Sequence, residues 1–182
     1  YFFQMNDGLE ASWGQDETFY QVALRRFYVD VAYDDWTLRT GRFDCPVGYE
    51  AYEATESFFY SRSYNFMAQP GSMLASVLTR HLNDNWSVSG GMQRGTDQFD
   101  DTDGKNALDG VGGVSYLSDD EASFFDAYLI AQEVGPGPNK QYHYSVVGGT
   151  PINCNWDYVT EWYWGNSRGE DEGEWYGLQN QF

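Results

Sequence analysis

Acidic side chains in one long, irregular stretch offer the clearest chemistry in this sequence. Asp44, Glu50, Glu53 and Glu56 are followed by Arg62, and no strand-like alternation runs through them. Two carboxylates held on opposite sides of a sugar hydrolyse glycosidic bonds, but three evenly spaced glutamates on a loop match that arrangement poorly. Carboxylates around a narrow aqueous pore favour cations. We therefore expect no catalytic residue, while a pore constriction and a solvated acidic loop both stay open.

A second set of charged residues falls within strand-like segments. Arg26, Asp30, Arg39, Asp157 and Glu161 occupy the polar positions of an alternating pattern. On one face of a sheet they would line a water-filled lumen and determine its electric field. They also fit simple structural pairing, such as Asp30 with Arg39, and the two roles are compatible.

A cluster of aspartates resembles part of a calcium-binding loop. Asp97, Asp101 and Asp103 crowd oxygen ligands into one turn. Lys105 stands where a further ligand is needed, and no glutamate closes the loop. The histidines and cysteines lack the spacing of a zinc site. We expect no cofactor, with a loop-bound calcium ion as a weak candidate.

Composition excludes several classes of protein. The chain has 182 residues with 28 acids against 10 bases, a formal net charge of -18. Binding to nucleic acid needs clustered Lys and Arg, which this chain lacks. Hydrophobic residues make up 41% of the chain and aromatic residues 19%, which argues against an acidic disordered chain. No apolar run reaches the length of a transmembrane helix.

Alternating segments and turn residues predict β-hairpins. The first hairpin turns at Asp34 and Asp35, between strand-like segments at 19–33 and 36–43. Pairing outward from this turn matches Tyr33 with Trp36, Val31 with Leu38, Val29 with Thr40, Ala32 with Thr37, Asp30 with Arg39 and Tyr28 with Gly41. One face is then apolar and the other polar. The stretch 72–82 is ambiguous, because both of its faces are apolar.

Short and long connections alternate along the chain. Short turns are predicted at 34–35, 83–85, 118–121 and 151–155, and long loops at 6–18, 44–71, 95–106, 134–140 and 166–173. Outer-membrane barrels have this asymmetry, with short periplasmic turns and longer external loops. We predict one domain over 1–182, an all-β, antiparallel up-and-down transmembrane β-barrel. About ten strands fall in these residues, as part of a larger barrel.

Aromatic residues mark where such strands would meet the membrane surfaces. The predicted interface residues are Tyr33, Trp36, Trp86, Trp156, Trp162 and Trp164. The residues predicted to face lipid are Val29, Val31, Tyr33, Trp36, Leu38, Tyr158 and Trp162, whereas Asp30, Arg39, Asp157 and Glu161 face the interior. A slip of one residue would invert every side chain.

Several segments resemble one family. They are FYVDVAY at 27–33, WTLRTGRF at 36–43, CPVGYE at 45–50, FFYSRSY at 58–64, NWSVSGG at 85–91 and WYGL at 175–178. Together they resemble the β-barrel porins of the OmpL-like group. The resemblance implies a porin-like barrel with no catalytic residues to transfer. Cys45, where threonine is expected, departs from the pattern.

These observations lead to one main functional hypothesis and two alternatives. We expect an outer-membrane porin of a diderm bacterium, whose signal peptide has been removed, that passes small hydrophilic solutes or ions and prefers cations. Its partners would be outer-membrane lipid and further copies of itself, as in a trimer. The alternatives are a structural or anchoring envelope barrel and a secreted carbohydrate-binding β-sandwich. The strand-like sequence at both ends suggests that these residues are part of a longer polypeptide.

The two cysteines are predicted not to form a disulfide bond with each other. Cys45 follows a strand at its long-loop end, while Cys154 lies in a short turn at the opposite end. The thickness of a membrane, roughly 25–30 Å, would separate them, which is far beyond the reach of a disulfide bond.

Overall fold

Strands follow one another along the chain and pair with their neighbours in sequence. The computed structural model describes residues 26–51, 61–96, 109–133, 139–169 and 172–182. In this part of the chain, nine antiparallel strands form one sheet in the order β1 to β9. The strands are β1 (Phe27–Tyr33), β2 (Trp36–Asp44), β3 (Ser72–His81), β4 (Trp86–Thr96), β5 (Asp109–Leu117), β6 (Phe124–Glu133), β7 (Lys140–Asn153), β8 (Trp156–Arg168) and β9 (Gly173–Gln181). The predicted up-and-down fold is confirmed, although the described sheet is not closed between β1 and β9.

The first hairpin has the register that its alternation predicts. Tyr33 lies opposite Trp36, and Asp30 lies opposite Arg39. The guanidinium of Arg39 donates to both carboxylate oxygens of Asp30, each at 2.8 Å. Asp34 takes a φ of 53°, the left-handed conformation that tight hairpin turns require.

The alternation of short and long connections is present in the first half of the sheet, and several boundaries are corrected. The predicted long loop at 166–173 is wrong, because β8 continues to Arg168 and β9 begins at Gly173. β3–β4 and β5–β6 are joined by short segments at 82–85 and 118–123. The predicted turn at 151–155 is too long: β7 continues to Asn153, and Cys154 and Asn155 make the turn. Pro151 lacks a backbone N–H, and the strand accommodates it at an irregularity between Pro151 and Asn153.

The two faces of the sheet differ in burial. We call the face that carries the buried side chains the inner face, and the opposite face the outer face. The inner face includes Asp30, Arg39, Met73, Val111, Ile130, His143, Asp157 and Glu161, and the outer face includes Val29, Val31, Tyr33, Trp36, Leu38, Leu78, Leu129, Tyr158, Trp162 and Leu178. The residues predicted to face lipid share the outer face, and Asp30, Arg39, Asp157 and Glu161 share the inner face.

The ambiguous strand β3 is resolved by its partners. Leu78 lies opposite Leu38 on the outer face, whereas Ala75 and Val77 lie on the inner face. Ala75 is buried in a cluster that includes Phe43 and Met73, and Val77 packs against that cluster. The outer face of β3 is therefore apolar because it continues the apolar outer face of β2, and its inner face is apolar because it belongs to a buried cluster.

A small apolar core lies on the inner face, and a loop residue completes it. Its buried members are Phe43, Val47, Met73, Ala75, Val111, Ile130 and Tyr163. Val47 comes from the connection between β2 and β3, so this connection packs onto the sheet. Burying a side chain such as Val47 stabilises the folded protein by at most about 1.5–3 kcal/mol.

One short helix, α1 (Tyr64–Ala68), interrupts that connection. Ser63 caps it, because its hydroxyl accepts a hydrogen bond from the backbone N–H of Phe66 at 3.1 Å. No helix among the described residues is long and apolar enough to cross a membrane.

Cys45 and Cys154 are both free of disulfide bonds. Cys45 follows β2 at the end of the sheet where the long connections lie, and Cys154 lies in the turn between β7 and β8 at the other end. Their separation along the strands is the reason that the topology predicts no bridge.

Candidate functional site

The connection at 45–71, which we call the inner loop, lies against the inner face in both of its described parts. In the first part, the backbone N–H of Gly48 donates to the hydroxyl of Ser145 on β7 at 3.1 Å. In the second part, the hydroxyl of Tyr163 on β8 donates to the carbonyl of Ala68 at 2.8 Å. The loop therefore covers part of the wall formed by β7 and β8.

Glu161 on β8 contacts both parts of the inner loop. Its Oε2 accepts a hydrogen bond from the backbone N–H of Tyr49 at 3.4 Å, and its Oε1 accepts one from the side-chain amide of Gln69. The residue is only 2% exposed. Within the described residues it forms no ion pair, so these donors replace part of its lost hydration.

Glu50 joins the inner loop to α1 and to the last strand. Its Oε2 accepts from the backbone N–H of Ser63 at 3.0 Å and from the Ser63 hydroxyl at 2.7 Å. Its Oε1 accepts from the side-chain amide of Gln179 on β9 at 3.4 Å. The carboxylate thus orders the start of α1 against the wall.

Tyr49 places an aromatic ring on the inner face. It stacks on Phe124 of β6 with ring centroids 5.9 Å apart and ring planes 12° apart. Burial, and then the negative charge of Asp157, raise the pKa of Tyr49. Gly48 precedes it with a φ of +96°, and a Cβ there would overlap the side chain of Gln69.

A buried network of polar side chains extends from the inner loop along the wall. His143 Nδ1 and the hydroxyl of Tyr163 are 2.5 Å apart, and His143 Nε2 lies 3.4 Å from the amide nitrogen of Gln132. Gln132 also contacts Gln141 at 2.9 Å and Thr96 at 2.9 Å. This network could not be predicted from the sequence, because isolated histidines and glutamines carry no spacing signal.

The inner face carries more acid than the sequence analysis recognised. Asp126 on β6 and Glu161 on β8 lie opposite the same residue of β7, Val147. Asp157 is exposed on the same face. Neither Asp126 nor Asp157 forms an ion pair within the described residues, whereas Arg39 is bound to Asp30. Alternation along β6 could have identified Asp126.

The remaining predicted site residues have various positions. Asp44 ends β2 and accepts a hydrogen bond from Nε of Arg26 at 2.8 Å. Arg62 lies over the ring of Phe66 at 4.7 Å. Glu53, Glu56, Asp97, Asp101 and Asp103 lie outside the described residues. Among the residues that are described, no group of three His, Cys, Asp or Glu side chains could hold a metal ion.

The predicted interface aromatics all lie on the outer face. Tyr33 and Trp36 face each other beside the first turn. Trp86 pairs with Tyr116 at a ring distance of 4.8 Å, and Trp164 stacks on Tyr144 at 4.6 Å. Trp156 begins β8, and Trp162 lies near its middle. Their contact with membrane surfaces stays a prediction.

Comparison with known proteins identifies the family. The comparison with curated proteins found no match, and neither did the comparison with solved structures. A family model described as "Putative beta-barrel porin-2, OmpL-like" matches residues 2–182, essentially the whole chain. This match confirms the resemblance seen in the segments around the first hairpin. The chain belongs to this family of outer-membrane β-barrel porins.

Proposed function

We propose that this protein is a passive diffusion channel that prefers cations, with the inner loop narrowing its lumen. Membership of a porin family supports diffusion rather than catalysis. The observation that carries the proposal is the position of the inner loop, which lies on the same face as the charged side chains. The outer face, with exposed Val29, Leu129 and Leu178, would meet lipid.

The charge on the inner face supports the preference for cations. Asp126 and Asp157 present carboxylates without an ion pair in the described residues, while Arg39 is neutralised by Asp30. Fixed carboxylates raise the local concentration of cations where a pore is narrow. Acids on distant turns contribute less, because salt screens exposed charges beyond about 8–10 Å.

Reversal potentials across a planar bilayer with a salt gradient test this function. The wild type should show the sign of a cation-preferring channel. Asp126→Asn/Asp157→Asn should move the reversal potential toward zero, because it removes two inner-face charges. Asp34→Asn/Asp35→Asn is the matched control, since it removes two charges from a turn and should leave selectivity nearly unchanged.

Preference for anions in the wild type would contradict the proposal. Equal shifts in the two double variants would show that selectivity follows total charge and not the inner face. A folded protein without conductance would favour the anchoring barrel instead.

A further inference from the structure

Glu161 joins parts of the chain that are remote in sequence. It lies 112 residues from Tyr49 and 92 residues from Gln69, and it accepts a hydrogen bond from each. These two donors come from the two described parts of the inner loop, one before and one after the residues at 52–60. A single side chain of the wall therefore contacts both parts of the loop.

We propose that Glu161 is a positioning residue that holds the inner loop against β8 and so fixes the width of the lumen. The consequence for conduction rests on the proposed function, whereas the seating of the loop does not. Glu161 then acts on permeating ions through the loop and not through its own charge.

Burial separates Glu161 from the other acids of this face. Glu161 is 2% exposed under the inner loop, whereas Asp157 on the same strand and the same face is exposed. A carboxylate covered by protein and engaged with two donors is poorly placed to attract ions in the lumen. Asp157 is well placed to do so, and it accepts no hydrogen bond from the inner loop among the described contacts.

Other contacts between the inner loop and the sheet would remain if the Glu161 carboxylate were removed. The Gly48–Ser145 and Ala68–Tyr163 hydrogen bonds involve the Ser145–Tyr163 pair of β7 and β8, which is the next inner-face pair after Val147–Glu161. These contacts, together with buried Val47, do not depend on Glu161. Removing the carboxylate should loosen the inner loop without unfolding the sheet.

Cys45 provides a reporter within the natural sequence. It stands at the base of the inner loop, where its backbone N–H donates to the carbonyl of Gly71 at 3.0 Å. It is half-buried, packs against the apolar core and lines a crevice between the two described parts of the inner loop. In a Cys154→Ser background, the rate at which a water-soluble thiol reagent labels Cys45 measures how often the loop leaves the wall.

Three substitutions separate hydrogen bonding from charge. Glu161→Leu removes the charge and both acceptors. Glu161→Gln removes the charge but keeps an oxygen for the N–H of Tyr49, and the amide of Gln69 can rotate to accept from the new amide. Asp157→Asn removes one charge from the same face and leaves the loop contacts intact.

Only Glu161→Leu should unseat the inner loop. We expect Cys45 to be labelled about tenfold faster in that variant, the factor that corresponds to a net loss of one to two hydrogen bonds. Its single-channel conductance should also change and show additional closures. Glu161→Gln and Asp157→Asn should label at close to the parent rate, and their conductance should stay steady while cation preference falls in Asp157→Asn.

Equal labelling in the parent and a folded Glu161→Leu variant would overturn the proposal. Equally fast labelling in Glu161→Leu and Glu161→Gln would also overturn it, because charge would then be the cause. If Glu161→Leu fails to fold, Gln69→Leu removes one donor without changing charge and should also accelerate labelling; an unchanged rate there would overturn the proposal. A failure of cation selectivity would leave the labelling result intact and would contradict only the proposed function.

Discussion

Glycine at position 177 of β9 leaves room for a side chain of the helix α1. A Cβ at Gly177 would lie 1.8 Å from Oδ1 of Asn65, a buried residue of α1. No such contact exists between nonbonded atoms, so an added methyl group must displace the buried side chain of Asn65. The side chain of Asn65 therefore fits against β9 because residue 177 has no Cβ.

Gly177→Ala should destabilise the protein by about 1–3 kcal/mol, the usual cost of forcing a methyl group into a packed site. Urea unfolding of protein refolded into lipid vesicles measures the change. Gly90→Ala is the control, because a Cβ at Gly90 meets no atom within 4 Å. Equal stability of both variants would show that α1 is not packed closely on β9.

Individual side chains were harder to predict than the strands that carry them. Asp30 and Arg39 could be paired from the sequence, because they face each other across a turn of two residues. The contacts of Glu161 could not be predicted, since its partners are about a hundred residues away and lie on a loop without periodicity. Its role as a polar inner-face residue was foreseeable, and its burial was not.

At the scale of the strands, alternation is informative where one face is wet and the other is apolar. β1 and β2 satisfy this condition, so their register follows from the sequence. β3 does not, because its inner-face residues Met73 and Ala75 are buried in an apolar cluster with Phe43 of β2 and Val47 of the inner loop. The residues on each face of a strand match what covers that face. Where a loop folds inward onto the sheet, the inner face becomes apolar like the outer one, and the alternation of polar and apolar residues that predicts the register is lost.

Leu78 and Thr79 test the assignment of faces at nearly the same depth. They are consecutive on β3, with Leu78 on the outer face and Thr79 on the inner face. Leu78→Lys should destabilise the barrel by up to about 2–4 kcal/mol, the cost of a lysine facing lipid near the membrane midplane. Thr79→Lys should cost clearly less, because its ammonium group stays in water.

Stability of the two lysine variants in lipid vesicles decides between the faces. The unfolding midpoint in urea is the measurement, with the wild type beside them. A larger loss for Thr79→Lys than for Leu78→Lys would mean that the faces of β3 are reversed.

At the scale of the whole molecule, the two longest connections, between β2 and β3 and between β4 and β5, lie at the end of the sheet opposite the turn that holds Cys154. Cys154 lies exposed in a short turn, and Glu172 lies exposed in the connection between β8 and β9. In outer-membrane barrels the short turns face the periplasm and the longer loops face outward. Each position therefore reports one side of the membrane.

Intact cells should protect Cys154 from a maleimide on a polymer too large for the pore. We expect no labelling of the Cys45→Ser variant until the outer membrane is opened. Glu172→Cys, in a Cys45→Ser/Cys154→Ser background, should be labelled in intact cells. Labelling of Cys154 from outside would reverse the proposed orientation of the barrel.

The distances along the chain between the inner loop and its partners also fix an order of events during folding. Neighbouring hairpins need only local encounters, whereas Gly48 must wait for Ser145, 97 residues later, and Glu50 for Gln179, 129 residues later. Closing such long stretches costs entropy that only an assembled wall can repay. We therefore expect the inner loop to dock after β7, β8 and β9 are in place. On the proposed function, the lumen is then wider before docking than after it, and its aperture is the last dimension to be set.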